Sequence, residues 1–458
     1  MNQEARETQQ EVVVGIARWL QPVTYADIPP KAIDLAKLFI LDGIGVAVAA
    51  LPEKIGKAVV RLVQYMGSGN ATVIGAPTRV APCDAAFANG ALMHGLDFDD
   101  MSFGGHATTC ILPAVVAALE EARASGRDIL TAYSVGMEVF GRLALVAPAD
   151  EMHELGWHPT GVFGLLASAA ASAKALHLSE RETADAISLV ASFGCGLTRN
   201  FGSLAKPVHA GHAARSGLQA AVMAREGFGG IWTVLESEHG FGVAYMANKV
   251  NWGAFLSGLG NPWRITFRGP SIKQFPCCGA NHRTIQALLN LRAAHSFDVQ
   301  DIEKIEVRIH PRTRVILFHE RPADGYQAKF SLPFNVAVTL LAGKPQIATY
   351  SDGMISNPTV LQLMDKVVVV ADPDLEVSGS VVRICLPNGQ VLERQEKVLH
   401  GSPDDPMSED EVIAKFMDNA VPVLGRPRAD ALCAAILSLD KDGERFWQAL
   451  DGCRHAVQ

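Results

Sequence analysis

The sequence predicts a mainly α-helical protein in two parts: a large all-helical domain built from both chain ends (residues 1–262 and 405–458) and a smaller α+β domain inserted between them (residues 263–404). Three observations carry that expectation. Up to about residue 261 apolar residues recur at helical spacing in segment after segment; after Trp263 alternating runs and a hairpin signal take over; near residue 405 helical spacing returns. A chain of 458 residues also exceeds what one hydrophobic core normally supports.

In chain order, Ile28-Pro29-Pro30 opens a helix in which Ile33, Leu35, Ala36, Leu38, Phe39 and Leu41 share a face, prolines being tolerated in a first turn. A second helix covers 54–66, and ATVIG (71–75) reads as one short strand. A small-residue helix over 81–96, despite Gly90 and Gly95, runs into Asp97, Asp99 and Asp100; Gly104-Gly105 then loosen the chain before another apolar helix near Thr109. Segments 113–124 and 128–144 form a pair split by Ser125-Gly126. The block 156–179 holds a helix rich in Ala and Ser with Thr160 as its cap, and small residues in such density allow close helix contacts. A further helix starts near Lys206 and stops at Gly227. Beyond Trp263, 302–309 and 367–370 read as strands, the latter short and buried. Runs 381–386 and 391–398 flank Pro387-Asn388-Gly389, a hairpin signal. Helices are expected over 282–295, 330–341 and 428–439, and Ser408 with Glu411 forms a capping box opening one more.

Composition narrows the function. Apolar residues make up 48% and charged residues 19%, and 40 basic against 48 acidic side chains leave a net charge of −8 without a long basic run, which disfavours nucleic acid and anionic membrane as partners. The start, MNQEARETQQEVV, lacks the basic and apolar regions of a signal peptide, and no stretch offers about 20 uninterrupted apolar residues, so a cytoplasmic location is expected. Eight cysteines in so long a chain do not form a disulfide framework.

Four places carry chemistry. Crowding of Asp97, Asp99 and Asp100 between His94 and His106 would separate their pKa values and supply an acid and a base; the same residues also read as a helix end followed by a solvated acidic loop. His158 stands just ahead of a helix's positive end, which lowers a histidine pKa and welcomes a carboxylate, or it is a structural loop histidine. Lys206 leads into His209, His212 and Arg215, whose spacing puts the last three on one face: an anion site, a subunit contact or a solvated surface. Cys277-Cys278 reads as two packed thiols or as lining of a site. His94, Asp97 and His106 could hold a divalent metal, but no second ligand pair at helical spacing supports them, so no metal is expected. Phosphate-loop, dinucleotide, zinc-protease and nucleophile-elbow motifs are all missing.

Five ordered blocks, NGALMHGLDFDD, GWHPTGVFGLLASAAASAKAL, LAKPVHAGHAARSGLQAAVMAREGF, IKQFPCCGANHRTIQALLNL and AKFSLPFNVAVTLLAGK, resemble the MmgE/PrpD family of 2-methylcitrate dehydratase, cis-aconitate decarboxylase and iminodisuccinate epimerase. The resemblance implies that the inserted α+β domain is a lid, that the chain is a homodimer without a cofactor, and that its substrate is a small carboxylic acid. It places Asp97, His106, His158 and Lys206 in the catalytic set and Lys273 and Cys278 at substrate-binding positions, to which His209, on the cationic helix face, is added. The lysines would hold carboxylates and stabilise an enolate; His106 and His158 would exchange protons, with Asp97 orienting one imidazole and raising its pKa.

Three departures set the chain apart from the decarboxylase branch. Met101 stands where a threonine is expected, in a loop one residue shorter; Cys278 replaces a histidine; and Phe318 lies where a tyrosine is expected. The expected function is therefore a cofactor-independent lyase of the 2-methylcitrate dehydratase kind, with an epimerase as the alternative, cis-aconitate decarboxylation disfavoured, and a catalytically silent acid-binding dimer as a third reading.

Overall fold

Buried small and apolar residues organise the helices, and the computed structural model describes them over residues 11–147 and 149–455. Pro30–Ala49 starts with proline in its first turn. Pro82–Met93, Thr108–Leu119, Gly126–Val146, Pro159–Ala175 and Ala205–Arg225 follow, and Glu409–Leu424, Arg426–Leu437 and Gly443–Gly452 return at the C-terminal side. One apolar core joins the two ends: Val12 through Ile272 pack with Val412, Phe416, Leu432, Trp447 and Cys453.

Glycine sets the closest approaches in this core. Ala205–Arg225 lies against both Pro82–Met93 and Pro159–Ala175. A Cβ on Gly90 would come within 2.9 Å of the Gly211 Cα, and one on Gly211 would meet the Phe87 carbonyl. Nearly every residue of Pro159–Ala175 is buried within the chain, so its small residues serve internal packing rather than a subunit contact. Gly126–Val146 is long and apolar enough to cross a membrane, but most of its residues are buried within the chain, and its Glu138 carboxylate pairs with Arg142 at 2.6 Å.

Five strands form among the described residues. β1, Ser68–Ala71, makes only isolated bridges to Val80. The strand expected over 71–75 therefore ends where it was expected to begin. Beyond Ala71 the backbone donors go elsewhere: Thr72 N–H to Glu120, Ile74 N–H to Asn89 and Gly75 N–H to the Cys453 carbonyl. β2 (Lys304–Ile309), β3 (Val367–Ala371), β4 (Ser380–Cys385) and β5 (Val391–Gln395) make one sheet in the order β3-β2-β4-β5. β2 and β3 are parallel, with Ile305 opposite Val367, and the other pairs are antiparallel. The expected hairpin joins β4 to β5, with Gly389 at φ +79°. β3 lies at the sheet edge and alternates between half-buried and exposed, so it is not the buried strand expected. His282–Ala294 and Leu332–Ala342 cover the sheet through Leu288, Ile305, Val307, Leu340 and Ile384.

Caps follow local rules. Ser408 and Glu411 form the capping box of Glu409–Leu424. Pro159 occupies the first turn of its helix, so His158, not Thr160, is the capping position. All eight cysteines are free.

Candidate active site

The end of Pro82–Met93 and the starts of Thr108–Leu119, Pro159–Ala175 and Ala205–Arg225 deliver the expected residues to one place. Lys206 Nζ donates to Asp97 Oδ1 at 2.7 Å and to His94 Nε2 at 2.9 Å. Lys273 Nζ lies 3.1 Å from the same carboxylate oxygen. Asp97 adopts φ +54°, a left-handed conformation that asparagine and aspartate tolerate better than most residues. Burial would raise its carboxyl, but Lys206 and Lys273 outweigh burial and hold it well below the usual carboxylate range.

Asp99, fully buried, accepts from two imidazoles. His94 Nδ1 lies 3.0 Å from Oδ1 and His106 Nδ1 lies 2.7 Å from Oδ2. Because the Lys206 ammonium donates to His94 Nε2, the partners assign the His94 hydrogen to Nδ1. His106 Nδ1 likewise faces two acceptors, Asp99 and the Asp100 carbonyl at 2.9 Å, which leaves the Nε2 lone pair free. Asp97 is therefore not the orienting carboxylate expected; it is the counter-ion of two lysines, its nearer oxygen 3.8 Å from His106 Nε2, and Asp99 orients the ring. Nor is the imidazole raised. Burial, stronger than the attraction of Asp99, lowers His106, and burial with Lys206 nearby brings His94 to about 3.

His158 and His209 pair through their Nδ1 atoms at 3.1 Å. Burial pushes His158 well below its usual value and His209 to about 4. Both rings are neutral at pH 7.

A cavity of about 600 Å³ opens on this cluster. Asp97, His106, His158, Lys206 and Cys278 line it; His209 and Lys273, expected at substrate-binding positions, are outside the lining and stand behind His158 and Asp97. Burial raises the Cys278 thiol to about 11, so it is a neutral wall group. Met101 also lines the cavity, whereas Phe318 lies under Arg199 at 4.8 Å and outside the lining. The wall further carries Arg264, Arg268, Arg283 and Arg312, giving five cationic side chains with Lys206 against the single carboxylate of Asp97. Those arginines carry no local motif, and only their convergence in space marks them. His212 and Arg215 stay outside, Arg215 pairing with Asp84 at 3.4 Å.

Ligand atoms of His94, His106 and His158 lie within 4.8 Å of one another, close enough to grip a cation. A cation bound there would have to displace Lys206 from His94, whose remaining ring nitrogen already faces Asp99.

Two family models account for most of the chain, the MmgE/PrpD N-terminal domain over residues 14–252 and the MmgE/PrpD C-terminal domain over residues 275–441. The chain belongs to the MmgE/PrpD family. Among MmgE/PrpD relatives, it is 29% identical to the human cis-aconitate decarboxylase over 82% of this chain and 80% of that one. The Aspergillus terreus cis-aconitate decarboxylase is 28% identical over 94% and 93% of the two chains. The mitochondrial 2-methylcitrate dehydratase of Yarrowia lipolytica is 24% identical over 86% and 81%. Decarboxylase and dehydratase are both lyases, and the MmgE/PrpD chain described here is an enzyme of that type.

Proposed function

We propose that this enzyme removes a proton next to a carboxylate of a small di- or tricarboxylic acid and eliminates water from it, as in 2-methylcitrate dehydration. The observation that carries this reading is the His106 Nε2 lone pair, free of a proton in the resting site, at the wall of a cavity with five cations and one carboxylate. The arginines draw in a polyanion. His106 or His158 takes the proton, the C–H electron pair enters an enolate, and Lys206 faces the developing charge. The β-hydroxyl then leaves with that proton as water, which yields the alkene and restores the neutral ring. Positioned acid–base catalysis contributes about 10²–10⁴-fold. No cofactor is required by this chemistry.

Decarboxylation is the second reading, favoured by the decarboxylase relatives. It needs a proton donor for the carbanion left by carbon dioxide, and a resting site of neutral imidazoles suits abstraction better. Met101 and Cys278, where that branch is expected to carry threonine and histidine, weaken it further. Epimerisation would use His106 and His158 as opposed bases, their ring centroids 6.3 Å apart.

In the same reading, residues 263–404 form a lid on a helical body made of 1–262 and 405–458, and the enzyme works as a cytoplasmic homodimer. The core shared by both chain ends supports the first point. Exposed Phe228 and Ile231, 57% and 74% accessible, support a subunit contact, which sedimentation at micromolar concentration tests.

A panel of citrate, 2-methylcitrate, cis-aconitate and iminodisuccinate in deuterated buffer, followed by NMR, separates the chemistries. Dehydration yields an alkene, decarboxylation releases carbon dioxide with deuterium uptake, and epimerisation exchanges the α-proton without an alkene. No change with any of the four would leave only a binder.

A further inference from the structure

The segment that carries Asp97 leaves helical structure at Met93 and is buried, and no backbone N–H among the described residues reaches the carbonyls of Leu96, Asp97 or Phe98. Buried carbonyls need donors. Here three lysine ammoniums supply them, one to each consecutive carbonyl: Lys329 Nζ to Leu96 O, Lys273 Nζ to Asp97 O and Lys415 Nζ to Phe98 O, each at 2.8 Å.

Lys329 and Lys415 are also anchored away from the segment they hold. Lys329 donates to the Pro276 carbonyl at 2.5 Å and lies 4.3 Å from the Tyr350 ring centroid. Lys415, on Glu409–Leu424, pairs with buried Asp42 at 2.6 Å and lies 4.0 Å from the Phe98 ring centroid. Lys273 reaches the Asp97 side chain as well. Charge-assisted bonds are stronger than neutral ones, and three of them in a row hold the backbone on which Asp97 sits at positive φ. Fixing that backbone aims Asp97 at Lys206 and sets Asp99 between His94 and His106.

We propose that Lys329 and Lys415 are positioning residues of the active site, forming with Lys273 a three-ammonium cradle that imposes the Asp97 conformation. Neither Lys329 nor Lys415 lines the cavity, so neither meets substrate. The proposal rests on Asp97, Asp99 and His106 being the reactive cluster, but not on which acid is the substrate.

The test uses the full chain with Lys329→Met and Lys415→Met, which keep apolar bulk and remove the ammonium, and Lys329→Gln and Lys415→Gln, which keep an N–H donor. Lys366→Met is the control, because Lys366 caps the Gln300 and Ile302 carbonyls away from the cavity lining. The first readout is the ¹⁵N-histidine NMR titration of His106, assigned by its loss in His106→Gln, and it needs no substrate. The second is kcat and KM on whichever acid the panel identifies. The Met variants are expected to shift the His106 pKa by about one unit or more as its surroundings rearrange. They should lower kcat by about 10- to 100-fold with KM changed less than about threefold. The Gln variants should recover part of both, and the control should move only the melting temperature.

Folded Met variants with a wild-type His106 titration and kcat would overturn the cradle, as would losses that the control reproduces. If the Met variants do not fold, a wild-type titration in the Gln variants overturns it equally. If no acid in the panel is turned over, the proposed function fails, while the NMR titration still decides the cradle.

Discussion

At the scale of single residues, His106 is the most exposed to test. His106→Gln keeps size and hydrogen bonding but cannot titrate between pH 5 and 8. Turnover is expected to fall about 10²-fold or more with ligand affinity and melting temperature near those of the wild type. A variant that keeps its rate but melts earlier would make His106 a structural residue. Cys278→Ser is expected to retain most activity in the same assay, because the thiol is neutral and serves as wall. Near-total loss would move Cys278 into the catalytic set. Asp97, His106, His158 and Lys206 were legible from sequence as reactive residue types beside helix ends. The division of labour between Asp97 and Asp99 was not, because two residues of spacing do not say which carboxylate meets the lysines. Lys329 and Lys415 were invisible for a plainer reason: their partners are backbone carbonyls 233 and 317 residues away.

At the scale of elements, the crossing of Pro82–Met93 with Ala205–Arg225 holds Asp97 against Lys206, since Asp97 follows the end of the first helix and Lys206 lies in the first turn of the second. Gly211→Ala would press a methyl against the Phe87 carbonyl, backbone that cannot swing aside. A loss of about 1–3 kcal/mol is expected from overpacking, read by denaturant titration, with a parallel loss of activity as the two helix ends part. Unchanged stability would mean that the crossing relaxes freely. Elements with local signals were readable: the Asn-Gly hairpin between β4 and β5 and the Ser408–Glu411 capping box depend on residues within a few positions of each other. Thr72–Gly75 has strand-like composition but takes its partners from Glu120, Asn89 and Cys453, which no local pattern announces.

At the scale of the whole molecule, buried neutral histidines make stability depend on acid. His94 and His282 are brought to about 3, and His153 and His209 to about 4, in each case by burial above all. Unfolded chains bind these protons from about pH 6.5 downward, whereas the fold refuses them until about pH 3–4, so stability falls as pH drops through that window. Each such ring contributes about 1.4 kcal/mol per pH unit. Asp100, raised to about 7 by burial and by Asp99, works in the opposite sense below pH 7, as do Asp42, Glu120 and Glu236, raised by burial, whereas His106, His158 and His212, lowered by burial, add to the four histidines. Melting temperature is therefore expected to decline steadily from pH 7 to pH 5, and a flat profile would show that the rings are hydrated. The two-part texture was visible in sequence as a change of periodicity. That one apolar core unites both chain ends is signalled in sequence by the returning helical spacing near residue 405 and by the family resemblance.

The Lys415 contact with Asp42 and the Phe98 carbonyl also orders events during synthesis. A nascent chain that has emerged only as far as residue 400 already possesses every group lining the cavity apart from Ser402, yet it lacks the cation that closes the third carbonyl and neutralises Asp42. The catalytic centre is thus completed only once the Glu409–Leu424 helix has been made. A chain stopped just before Glu409 should be released inactive and more susceptible to protease than the full-length product, which limited digestion of the two species would reveal.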